Sequence, residues 1–312
     1  MKKLLVTLMI ALCSIGITVA QDLEKATELY NNAAAALEIS DTPGALDLFQ
    51  QAMTMASSLG EEGVEIVNNC KGIIPKLHLS IGKDYAKIKD MDNAIASLNK
   101  ATELAKEYGD QETATEASDL IPQLLMAEGN SLLNDKKYPE AAAMYKKVTA
   151  IEPDNGMAFL RMGMAQTASG ETDAAIETFT TAVEKGEAEN ANKQLSNIYL
   201  KKAAACQKEK DSKGAMEAAQ KSVEYLDNAT AQKIIGLSAL SLKQNKVAAD
   251  ALEAYLAMQP DAKDKVQIMY QLGVALAASG QNSKACGYFK QISSDAKWGE
   301  AARYQATTLK CN

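Results

Sequence analysis

His78 is the chain's single histidine, and that already narrows the chemistry available to it. A zinc centre needs several nitrogen or sulfur ligands at set spacing. The five cysteines, Cys13, Cys70, Cys206, Cys286 and Cys311, contain no C-x-x-C pair for metal or redox work. Asp90, Asp92 and Asn93 have the composition of a calcium loop, but the sixth-position glycine and twelfth-position glutamate are missing. They read as helix-capping residues instead. No G-x-G-x-x-G or P-loop cluster of glycines is present to cradle a phosphate. Asn228-Ala229-Thr230 fits a glycosylation acceptor, yet Asn228 stands where a helix begins and reads better as an N-cap. No catalytic residue, metal or cofactor is therefore expected, and the chain reads as non-enzymatic.

The elements that carry these residues follow from composition and patterning. The 312 residues are 47% apolar and 23% charged but only 5% aromatic, and alanine dominates. That composition favours helices packed closely through small side chains. A net charge of -7 argues against nucleic acid, whose phosphates are neutralised by clustered Lys and Arg. At the start, Lys2 and Lys3 precede an apolar run from Leu4 to Val19 that closes on Thr18-Val19-Ala20. This order predicts a secretory signal peptide over residues 1–20, a mature start at Gln21 and a periplasmic or secreted product. The run is short of the roughly 20 apolar residues of a membrane span, so no integral span is expected after cleavage. Cys13 follows Leu12 rather than the small residue of a lipobox.

Internal repeats dominate what remains. Taking 156–189 as one unit of 34 residues puts Phe159, Met162, Gly163 and Gln166 at positions 4, 7, 8 and 11, and Ala175, Phe179 and Ala182 at positions 20, 24 and 27. The same order recurs from Pro75 (Gly82, Ala94, Leu98), Pro122 (Gly129, Ala141, Tyr145), Ala229 (Gly236, Ala248, Leu252) and Val266 (Gly273, Ala285, Phe289). Two poorer copies carry Ala45 with Phe49, and Ala215 with Ala219. The seven units in order resemble the tetratricopeptide repeat, a helix-turn-helix unit of this period. The resemblance implies an all-α, right-handed superhelix, an α-solenoid of about seven repeats plus a C-terminal capping helix, some fifteen helices in all. Gly82, Gly129, Gly163, Gly236 and Gly273, with Ala94, Ala141, Ala175, Ala248 and Ala285, are then packing residues that let paired helices approach.

The position-20 alanines are spaced by 49, 47, 34, 40, 33 and 37 residues, so the first two intervals are long. Their excess lies before Pro75 and Pro122, where Ile73-Ile74-Pro75-Lys76-Leu77 and Leu120-Ile121-Pro122-Gln123-Leu124 are near copies one 47-residue step apart. Apolar spacing of helical period continues through the first proline. Lengthened first helices, kinked at proline, are expected, with an extra short helix before each proline as the alternative. The chain thus divides into long-helix repeats over 22–121, regular repeats over 122–294 and a capping helix over 295–312. Trp298, Ala301, Ala302 and Tyr304 suit that last helix, from about Lys297 to Lys310. In an antiparallel hairpin turning near Asp295, Cys311 overshoots the level of Cys286 by roughly 10 Å at about 1.5 Å per residue, so a bridge between them is not expected.

The resemblance further implies that positions 2, 5, 9 and 12 of each first helix line a concave groove. Carried over, these include Met126, Asn130 and Leu133; Leu160 and Met164; Leu237 and Leu240; and Tyr270. The stripe is apolar and rich in flexible methionine, which suits a peptide or helix of a protein partner. The basic clamp by which some family members hold a C-terminal carboxylate is hinted at only by Lys83 and Asn130. The expected function is a protein-interaction scaffold or adaptor of the bacterial cell envelope. Two rivals remain: a structural subunit using its convex face, and a small-ligand receptor or enzyme.

Overall fold

The computed structural model describes residues 2–311, with side chains described from Val19 onward. Among the described residues there are fifteen α-helices, one short 3-10 turn and no strand. The first twenty residues, expected to be a leader, lie almost wholly outside the described side chains. No helix among the described residues is long and apolar enough to cross a membrane.

The chain forms two compact units, residues 1–152 and 153–312. In the first, the helices pair in sequence: α1 (Lys2–Glu38) with α2 (Thr42–Ser57), α3 (Val64–Lys87) with α4 (Met91–Tyr108), and α5 (Gln111–Asn134) with α6 (Tyr138–Ile151). The 3-10 turn Gly60–Gly63 leads into α3. In the second unit α7 (Gly156–Ser169) pairs with α8 (Thr172–Glu184) and α9 (Ala188–Lys208) with α10 (Ser212–Tyr225). There follow α11 (Ala229–Ser241) with α12 (Asn245–Met258), α13 (Lys265–Ala278) with α14 (Asn282–Gln291), and α15 (Gly299–Thr308) against α14.

Each first helix ends the same way. A residue of positive φ follows its last turn: Ser40, Lys89 and Lys136 in the first unit, Gly170, Lys210, Lys243 and Gly280 in the second. The next amide bonds back five residues, as in Asp90 N–H to Tyr85 C=O (3.0 Å) and Gln281 N–H to Leu276 C=O (2.8 Å), satisfying carbonyls that the helix end would leave open. Three of the second helices, α2, α4 and α10, then start on capping carboxylates. Asp41 accepts from Gly44 N–H at 3.0 Å, Asp90 from Asn93 N–H at 3.3 Å and Asp211 from Gly214 N–H at 2.9 Å. Asp90 is thus a cap, and so is Asn228, whose Oδ1 accepts from Ala231 N–H at 2.8 Å. The Asn228 amide also donates to Ser222 Oγ, Ser196 Oγ and the Leu226 carbonyl, holding a buried serine pair at 2.8 Å.

Close approach within each pair is read directly from the glycines. A Cβ at Gly82 would meet Leu98 at 2.8 Å, at Gly129 Tyr145 at 2.7 Å, at Gly163 Phe179 at 2.8 Å, at Gly236 Leu252 at 2.5 Å and at Gly273 Phe289 at 2.6 Å. Every one of these partners lies 16 residues on, at position 24 of its repeat, and the position-20 alanines, Ala94, Ala141, Ala175, Ala248 and Ala285 among them, are fully buried. Pro75 and Pro122 sit inside α3 and α5, each an unbroken 24 residues. The lengthened helix is therefore what forms, rather than an extra helix before each proline.

Two expectations about the C-terminus change. The capping helix is shorter than expected, Gly299–Thr308, and Cys286 and Cys311 are joined in a disulfide with Cα atoms 5.5 Å apart. The expected overshoot holds only for a helix that runs on through Lys310. Instead Lys310 takes a left-handed conformation (φ 55°) and Cys311 N–H bonds back to Ala306 C=O at 2.9 Å. The helix thus stops short of Lys310, and this closure leaves Cys311 within bridging distance of Cys286.

Candidate partner-binding faces

The residues expected to line a groove fall in both units and none is fully exposed. On α5, Met126, Asn130 and Leu133 are half-buried. Asn130 is committed internally, its Oδ1 accepting from Tyr145 Oη at 2.8 Å. The other hint of a carboxylate clamp is also taken: Lys83 pairs with Glu116 on α5 at 2.6 Å, and Lys76 approaches Asp110 at 3.8 Å. Hydrogen bonds from Thr113 hold the Asp110 carboxyl below the usual carboxylate range.

In the second unit Leu160 is a core residue, 5% exposed, so its placement on an accessible stripe is corrected. It packs in one cluster with Phe179 of α8 and with Leu195 and Ile198 of α9. Met164, four residues on, is half-buried against the same cluster. Leu237 and Leu240 on α11 and Tyr270 on α13 are each half-buried against the unit's largest core, as are Val274 and Ala277. Tyr270 packs against Trp298 with ring centroids 5.0 Å apart and leans on Phe289 at 5.9 Å. From sequence, Trp298 reads only as part of the cap. Its role beside Tyr270 depends on the irregular connection from α14 to α15, for which the repeat pattern has no template.

Lys233, at position 5 of its repeat, is not free to meet a ligand. Its Nζ reaches Asp264 at the start of α13, and Tyr255 Oη on α12 donates to the same carboxylate at 2.7 Å. Burial and the Asp264 hydrogen bond push the Tyr255 phenol up to about 12. Burial works against the Asp264 charge, but the bonds from Lys233 and Tyr255 outweigh it and keep the carboxyl ionised. The cluster ties α11, α12 and the start of α13 together.

Two solvent-open hollows lie between second helices, where the repeat pattern placed no site. In the first unit, α4 and α6 flank a hollow of about 550 Å³ floored by α5 and lined by Ile95, Thr102, Ile121, Leu125, Ala150 and Ile151. Ile151 is half exposed at its rim. In the second unit a hollow of about 590 Å³ lies between α10 and α12 over Ile235 of α11, with Val223, Val247 and Asp250 on its walls. Among the described residues no group of histidine, cysteine and carboxylate side chains is placed to hold a metal ion.

Comparison with known proteins agrees with the repeat geometry. No curated protein matches the chain in sequence. Among solved structures, YrrB, described as a TPR protein with an unusual peptide-binding site, is 17% identical over 58% of this chain and 91% of its own, at a TM-score of 0.33. TTC0263 of Thermus thermophilus, described as a thermophilic TPR protein, is 16% identical over 61% of this chain and 100% of its own, at 0.27. The P58(IPK) TPR domain covers 93% of this chain and 97% of its own at 13% identity and 0.31. Models of the tetratricopeptide repeat match residues 75–108, 132–198 and 235–301, together more than half of the chain, and their spans contain the five glycine contacts described above save Gly129, which falls between two of them. The chain belongs to the tetratricopeptide repeat family.

Proposed function

We propose that this protein is a non-enzymatic interaction scaffold of the bacterial cell envelope that holds a peptide or helix of a partner protein against the first helices of its second unit. The observation that carries the reading is the run of half-buried apolar side chains on successive first helices, Leu237 and Leu240 on α11 and Tyr270, Val274 and Ala277 on α13. Such side chains are anchored on one side by the core and open on the other, so a ligand can bury the remainder at little ordering cost. Apolar side chains left part-exposed on neighbouring helices are the material from which interaction sites are built. Met164 adds a flexible contact on α7. Export is supported by the Lys-Lys, apolar, Thr-x-Ala order of the first twenty residues and by the Cys286–Cys311 disulfide, which persists in oxidising compartments.

A second reading has its own support. The hollow between α4 and α6, with Ile151 at its rim, is an apolar surface on second helices, as a structural subunit using that face would need. Placing a photo-crosslinking amino acid at Leu240 or at Ile151 separates the two. Crosslinking in cells from position 240 but not 151 supports the first-helix face, and the reverse pattern transfers the site to the second helices. Mass spectrometry of the natural protein tests export, with a mature start at Gln21 as the expected result.

A further inference from the structure

The bridge between Cys286 and Cys311 lies at one end of a helix whose other end touches the proposed binding face. Helix α15 has ten residues, fewer than the roughly 12 to 15 an isolated helix needs to persist in water. Ala302 is its one buried side chain, and Tyr304 is 70% exposed. Its start is held where Gly299 packs against the Ser293 carbonyl, to which Arg303 Nη1 also donates. Beyond that, Trp298, Ala306 and Leu309 rest half-buried on the core. The far end is closed by the left-handed Lys310 and by the disulfide itself.

We propose that this disulfide is a redox latch on the partner-binding face of the second unit, an inference that rests on that face being the binding site. With the bond intact, α15 is clamped at both ends and Trp298 is held over Tyr270. A partner then meets a Tyr270 ring partly covered by indole. A dithiol reductant opens the latch by ordinary exchange. Its thiolate attacks one cysteine sulfur, the Cys286–Cys311 bond breaks, and the second thiol of the reductant displaces the mixed disulfide. Two electrons and two protons end on Cys286 and Cys311 as thiols, and the reductant leaves as its own disulfide. The C-terminal end of α15 then has only Ala306 and Leu309 to hold it, and the helix frays from that end toward Trp298. Fraying uncovers Tyr270 and widens the apolar face.

The test uses the full-length protein purified without reductant and needs no partner, so it stands even if the binding reading fails. Hydrogen exchange is followed in the segment 299–311 and in α11, and emission is read from Trp298, the chain's single tryptophan. Treatment with dithiothreitol is expected to speed exchange in 299–311 by about tenfold or more, leave α11 unchanged and shift the emission to the red. The Cys286→Ser/Cys311→Ser variant is expected to show the fast exchange and red emission without reductant, and to ignore it when added. Complete reduction, seen as a mass gain of two hydrogens, with exchange in 299–311 unmoved overturns the latch. Faster exchange with unchanged Trp298 emission overturns the link to Tyr270.

Discussion

A Cβ placed on Gly163 would lie 2.8 Å from the ring of Phe179, closer than carbon atoms of packed side chains come. Phe179 is fully buried, so the ring has no free space to retreat into. Gly163→Ala is therefore expected to cost about 1 to 3 kcal/mol by overpacking, and Gly163→Leu at least as much. Gly72 in α3 and Gly287 in α14 have open space where a Cβ would go. At those two sites alanine is expected to stabilise by about 0.5 to 1 kcal/mol, because it removes chain entropy from the unfolded state. Denaturant unfolding of the four variants checks both signs, and a neutral Gly163→Leu would mean that the α7–α8 pair is not packed as described.

Leu160 and Leu240 occupy equivalent helix faces by sequence but differ in burial, the first in the core and the second half-buried. Leu160→Glu is expected to unfold its neighbourhood, since an unpaired carboxylate in the core costs several kcal/mol. Leu240→Glu is expected to keep nearly full helicity by circular dichroism while weakening partner capture. An equal loss of helicity in both variants would make the α11 face core as well.

His78 gives the fold an acid-sensitive step. Burial, and then the charge of Lys100, hold its pKa below the ordinary value of 6.5, and its Nε2 is buried without a hydrogen-bond partner. The unfolded chain therefore takes up the proton first. Stability from this residue is complete above the unfolded value and falls as pH drops below about 6.5, with a slope of at most about 1.4 kcal/mol per pH unit. The carboxylates with lowered pKa, Asp110 and Asp264 among them, act in a separate window, giving up their stabilisation only as pH falls below their ordinary value near 3.8. His78→Gln should flatten the melting profile between pH 7 and 5 while leaving the steeper acid limb in place. A profile unchanged by the substitution would assign the slope to other groups.

Cysteine reactivity should separate the described thiols cleanly. Cys70 is fully buried, and burial pushes its thiol up to about 11, so almost none is thiolate near pH 8. Cys206 is half-buried. Iodoacetamide is expected to modify Cys206 first, Cys70 only on unfolding, and Cys286 and Cys311 only after reduction. Loss of the bridge in Cys286→Ser/Cys311→Ser should also cost about 3.5 kcal/mol of unit stability, from the entropy of a loop closed across a separation of 25 residues.

The repeat architecture was legible because its signals are local and recur. Small residues at positions 8 and 20 and a large one at position 24 specify a helix pair through contacts only 16 residues apart, and the fully buried Phe179 against Gly163 is that pattern in three dimensions. The lengthened α3 and α5 were legible for a similar reason, since helical apolar spacing continues through Pro75. What was not legible depends on neighbours in the next repeat or on irregular turns. Leu160 sits at a groove position of its own helix but is covered by Leu195 and Ile198 from α9. The Cys286–Cys311 bond and the contact of Trp298 with Tyr270 depend on how the chain leaves α14 and α15, where Lys310 adopts a backbone conformation that its residue type does not announce. The α4–α6 hollow lies between helices of separate repeats and has no signature within either.

The seven left-handed closures bear on how such a chain can lengthen. Serine, lysine and glycine all serve at that point, and the backbone route through it is shared. A copied stretch of one repeat therefore arrives with its own joint, already shaped to meet a second helix, and the receiving chain needs no refitting on either side. The similar segments around Pro75 and Pro122 lie one 47-residue step apart, as two units built on one plan would place them. Growth by whole units leaves the joint intact; an insertion of one or two residues at Lys89 or Lys136 breaks the five-residue closure that the joint depends on.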